Sequence, residues 1–132
     1  MALSVNDALG HYRAVAEATH KYWGYFQAIA AGTAAFAWAS ETQTLPLLAW
    51  LTFAFVLFAI ASWRLVVGSQ ADVVAVKDCI KTFVKNHPSE VPSDFAPLVD
   101  RLTPYPAWIV GSWHGLISVA VVAVIWWNHF LL

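Results

Sequence analysis

Residues 102–132 read LTPYPAWIVGSWHGLISVAVVAVIWWNHFLL, thirty-one residues without an Asp, Glu, Lys or Arg. Two shorter runs of the same kind precede it, nineteen residues from Tyr22 to Ser40 and twenty-two from Thr42 to Trp63. A hydrocarbon core about 30 Å thick is crossed by roughly 20 apolar helical residues at 1.5 Å each. All three runs meet that length, so the sequence predicts an all-α integral membrane protein with three transmembrane helices. The expected spans are 22–40, 45–67 and 106–130. Composition agrees: of 132 residues, 60% are hydrophobic and only 11% charged. So short a chain cannot hide that apolar excess inside one water-facing globule.

The ends of the runs carry aromatic side chains with one polar edge. Tyr22 and Trp23 open the first and Trp38 closes it; Trp63 ends the second; Trp108 opens the third, with Trp126 and Trp127 near its end. Such rings favour the headgroup level, and these seven are read as interfacial. Trp50 and Trp113 lie deeper in the sequence of their spans and are expected to pack between helices. Orientation follows from the basic residues. Arg13 and Lys21 precede the first run, while Arg64, Lys77, Lys81, Lys85 and Arg101 lie between the second and third. All seven fall on one side, which predicts a multi-pass protein of the cell (inner) membrane, N-terminus cytoplasmic and C-terminus outside.

Outside the spans, residues 1–21 are expected to form an amphipathic helix, cytoplasmic or interfacial, capped by Ser4 and Asp7. Asp7 and Glu17, with no apolar core before residue 22, argue against a signal peptide. Residues 68–105 form the one sizeable water-facing piece: a bend at Gly68, a cytoplasmic helix from about Gln70 to Asn86, then a Pro-rich connection with a short helix near Pro97. Lys77, Lys81 and Lys85 make a basic stripe on that helix. It is a candidate site for anionic lipid headgroups, with a solvated face as the plainer reading.

His114 is the titratable group deepest in any expected span. Intramembrane ionisable residues are candidates for function, so His114 is the candidate for cofactor binding or a proton path. The competing role is a neutral imidazole bonded to Ser118 one turn away or to a neighbouring helix. No second buried ligand accompanies it, and one histidine does not make a metal site. Around it, Gly111, Gly115 and Ser118 share a small-residue face, and Ala28 and Gly32 offer the same chemistry on the first span; both are candidate helix-packing sites.

No cofactor, nucleic-acid or enzyme signature is carried. The net charge is −1 and Cys79 is the one cysteine, and no nucleophile elbow, phosphate loop or metalloprotease motif occurs. The expectation is therefore a small non-enzymatic membrane protein that assembles through helix–helix packing. It is expected to be a homo-oligomer in membrane lipid with a scaffolding or permeabilising role, holin-like or defence-effector-like. The alternative is an accessory or anchor subunit of a larger membrane complex to which His114 contributes.

Overall fold

In the computed structural model, residues 4–39 and 44–131 are described. Every regular element among them is helical. They comprise α1 (Val5–Ala39), α2 (Leu45–Asn86), a 3-10 turn at Pro88–Glu90, the single-turn α3 (Ala96–Asp100) and α4 (Ala107–Leu131). The connection at 40–43 that the sequence places on the outer side lies outside the described residues.

Local chemistry sets the helix ends. The Ser4 hydroxyl accepts from the Asp7 backbone N–H at 3.1 Å, and Asp7 puts a carboxylate in the first turn of α1, where the exposed amides favour it. Pro46 sits in the first turn of α2, a position that needs no N–H. At the other end Pro88 disfavours helical geometry for His87, which leaves the helix at φ −130° and ψ 57°. Its imidazole stacks on Phe83 at 4.5 Å and its Nδ1 lies 3.2 Å from the Phe83 carbonyl.

Gly68 was expected to bend the chain, but α2 runs through it unbroken for 42 residues. A helical glycine costs about 1 kcal/mol relative to alanine, and packing on both sides outweighs that. Leu48, Phe55, Ala59, Ser62, Val66, Gln70, Val73 and Ile80 are all buried, at steps of three, four and seven. That is one continuous seam along the whole helix. Ser69 and Asp72, read from sequence as a cap, are interior helical residues; the Ser69 hydroxyl instead bonds Thr19 of α1.

Three helices pack side by side. Thr19 beside Ser69 and Phe26 beside Phe58 make α1 and α2 antiparallel. Gly111 against Trp63, His114 against Ser62 and Trp126 against Thr52 make α2 and α4 antiparallel as well. The shared core comprises Phe26, Ala30 and Ala37 of α1, Leu48, Phe55 and Ala59 of α2, and Val121 and Ile125 of α4. Gln70 Nε2 donates to the Tyr105 carbonyl at 2.7 Å, which fixes the start of α4 level with Gln70. Beyond that level α1 and α2 continue without α4 as a two-helix hairpin, about 24 Å long at 1.5 Å per residue. The 87–106 return lies back along α2, held by buried Val91 and Val99.

The outer surface of the bundle is apolar. Ile29, Phe36, Phe53, Leu57, Ile60, Leu116 and Val119 all point outward. Helices α2 and α4 are long and apolar enough to cross a membrane. The described part of the first expected span, within α1, is long enough too, but Tyr, Gln, Gly and many Ala residues dilute its hydropathy below theirs.

Candidate functional site

The bundle interior is held by polar contacts that α2 makes along its length. From the hairpin end they are Gln70 with the Tyr105 carbonyl, Thr19 with Ser69, Trp63 Nε1 to the Gly111 carbonyl at 3.1 Å, Ser62 with His114, and Trp126 Nε1 to Thr52 Oγ1 at 2.9 Å. Where hydrophobicity does not drive helices together, such bonds and close packing do.

His114 belongs to the fourth contact of this ladder and is 1% exposed. Its ring stacks on Phe26 with centroids 3.7 Å apart, and Trp23 approaches at 5.9 Å. Nε2 is 3.3 Å from Ser62 Oγ, and Nδ1 is 3.4 Å from Ser118 Oγ. The Ser118 hydroxyl already donates to the His114 carbonyl at 2.8 Å, so toward Nδ1 it acts as acceptor. That assigns the proton to Nδ1 and leaves Nε2 to accept from Ser62. Both ring nitrogens are engaged in this arrangement. His114 thus joins α4 to α2 by hydrogen bonding and to α1 by stacking. Among the described residues no group of three His, Cys, Asp or Glu side chains converges to hold a metal ion.

The two glycines of α4 differ. A Cβ on Gly111 would lie 3.0 Å from Val67 Cγ2 and 3.2 Å from Trp63 Nε1, so this glycine permits the closest approach of α2 and α4. A Cβ on Gly115 meets nothing within 4 Å. Gly115 instead floors an outward apolar groove between α2 and α4, of ≈ 540 Å³, walled by Phe55, Val56, Trp63 and Val119. Ala28 and Gly32 of α1 face outward, and the buried small residues of that helix are Ala30 and Ala37. The small-residue faces of α1 and α4 do not meet within the chain.

Comparison with known families, curated proteins and solved structures finds no match.

Counting from the helix contacts gives the aromatic residues a new order. Tyr25, Trp63 and Trp113 fall at one level, one per helix, and are 64%, 43% and 59% exposed. Trp38, Trp50 and Trp127 fall at a second level, again one per helix, and are 60%, 70% and 51% exposed. Trp50 and Trp113 therefore face outward, against the expectation that they pack between helices. Trp126 turns inward to Thr52, and Trp63 is partly exposed while bonded to α4. Trp108 is 71% exposed, and Tyr22 and Trp23 are half-buried against the bundle. Lys77, Lys81 and Lys85 lie on the protruding hairpin, with Lys77 paired to Asp78.

Sequence reading missed Ser62 and Gln70 as packing residues. Both fall on the α2 seam four residues from Val66, one on each side, a signal visible once α2 is read as one helix. Trp126→Phe deletes one rung of the ladder and keeps the ring. It is expected to lower stability by about 0.6–1.7 kcal/mol, read from denaturant titration of helicity in mild detergent.

Proposed function

We propose that the chain is a non-enzymatic three-span protein of the inner membrane that self-associates and serves as a membrane scaffold or permeabilising assembly. The observation that carries the membrane part is the pair of outward aromatic rings, to each of which all three helices contribute one residue. The rings are about 20 Å apart along the helices, and the apolar height from Arg64 to Leu45 is about 28 Å. That height is close to a hydrocarbon core of about 30 Å. Helix α1 joins both rings despite its lower hydropathy, and this supports counting it as a span. Lys21 and Arg64 lie just past the inner ring, and the hairpin beyond carries Lys77, Lys81 and Lys85, which supports a cytoplasmic hairpin and N-terminus.

Self-association is supported by the groove over Gly115 and by the outward small face of Ala28 and Gly32. A groove on one side and a close-approach face on another suit head-to-tail contact between copies, which closes into rings or extends as filaments. The bundle itself is filled by Phe26, Phe55, His114 and Ile125, so any permeation path runs between copies.

Cys79 is exposed on the hairpin. In intact cells a membrane-impermeant maleimide is expected to leave it unlabelled, and labelling appears after permeabilisation; ready labelling in intact cells sinks this topology. Native mass in mild detergent tests the assembly. A homo-oligomer is the expected result, and stable foreign chains at fixed ratio would replace it with the anchor-subunit reading.

A further inference from the structure

A second cavity system lies on the opposite side of the bundle, between α1 and the 104–117 stretch. Its open part is a groove of ≈ 600 Å³ along Trp23, Gly24, Gln27, Trp113 and Ile117. Its narrower end, ≈ 250 Å³, is lined by Tyr12, Thr19, Gln70 and Pro104. His20 and Tyr105 line both and join them.

The polar groups here are unspent. Gln70 is 8% exposed, its amide nitrogen committed to the Tyr105 carbonyl, and its Oε1 receives no hydrogen bond from any described residue. The side chains of Tyr12, His20 and Gln27 make none to any described residue either, and nor does the Trp113 indole. A buried amide oxygen without a donor is costly, about 1–3 kcal/mol. Neither part of the cavity is lined by Asp, Glu, Lys or Arg, so no permanently charged side chain in it favours an ionic head.

We infer that this cavity binds a neutral amphiphile with a hydroxyl-bearing headgroup and an apolar tail, the headgroup donating to Gln70 Oε1 and the tail lying in the groove over Gly24. The inference rests on the three-span reading, which puts the narrower end on the cytoplasmic side of the inner aromatic ring and has the groove cross that ring, from Tyr105 to Gln27 and Ile117 at the edge of the apolar band. Polarity along the cavity then follows polarity along the lipid. Tyr12 and His20 complete the hydrogen bonding of a diol or similar head, and Trp113 and Ile117 flank the chain.

The test uses the full chain in phosphatidylcholine nanodiscs and reads quenching of Trp fluorescence by a monoacylglycerol with a dibrominated chain. Quenching is expected to saturate, and the methyl ester of the same acid, lacking hydroxyls, is expected to bind about ten-fold more weakly. Gly24→Leu fills the groove without a clash at Cβ, since nothing lies within 4 Å, and is expected to abolish the saturable component. Gln70→Leu is expected to equalise the two probes. Quenching that rises linearly, that is equal for both probes in the unmodified chain, or that survives Gly24→Leu overturns the inference. Brominated phosphatidylcholine is a separate arm: failure to quench the outward Trp residues overturns the three-span reading, and titration in detergent micelles still reads the cavity.

Discussion

Replacing Gly111 with leucine is expected to destabilise the bundle by about 2–4 kcal/mol, while the same change at Gly115 is expected to leave the fold intact and to break the self-association proposed above. At Gly111 even the first added carbon meets Val67 at 3.0 Å, and both neighbours belong to a helix packed along its length. Overpacking of this kind costs about 1–3 kcal/mol. Separating α2 from α4 also breaks the bond from Trp63 Nε1 to the Gly111 carbonyl, which adds about 1 kcal/mol. A Cβ at Gly115 meets nothing within 4 Å, so a leucine there lies along the walls of the groove and fills it without wedging α2 from α4. Denaturant titration reads the first effect and native mass the second. A Gly111→Leu protein as stable as the parent would contradict the close approach of α2 and α4. A Gly115→Leu protein that keeps its full oligomeric mass would remove the groove from the assembly.

His114→Ala is the second large effect, expected at about 2–4 kcal/mol. The substitution empties a site that is 1% exposed, strips Phe26 of its stacked neighbour and leaves the Ser62 hydroxyl without its acceptor. Cavity and unpaired-group costs both contribute. The double change His114→Leu with Ser62→Ala is expected to cost less than His114→Ala alone. It refills the volume and removes both polar partners together, which is close to neutral when shapes match. Stability unchanged by His114→Ala would show that the ring contributes neither packing nor hydrogen bonding.

Much of the helical layout was legible because bilayer-length runs and the Ser4, Pro46 and Pro88 boundaries are local signals. The expected limits of the third span, 106–130, differ by one residue at each end from α4, Ala107–Leu131. What was not legible depends on register between helices. Gly68 looked like a bend because its neighbours on α1 are fifty residues away in sequence, and only the seam through Val66, Gln70 and Val73 outweighs its flexibility. Trp50 and Trp113 looked interior because depth along a span was taken as depth in the bundle. Facing is set by angle around the helix, and the α2 seam turns Trp50 away. His114 could be singled out from sequence, as could its neighbour Ser118; its partners Ser62 and Phe26 could not, since they lie on two other helices.

The unbroken course of α2 also has a mechanical consequence. From Arg64 to Asn86 the helix projects about 33 Å as a rod without hinge or proline, braced by α1 over most of that length. A rod so held is a lever. Lateral pressure, bilayer thinning or a neighbour's docking that tilts the bundle by about 10° sweeps the far tip through about 6 Å. On the three-span reading proposed above, changes in bilayer thickness would thus be converted into displacement in the aqueous phase, at the end that carries Cys79 and Lys85.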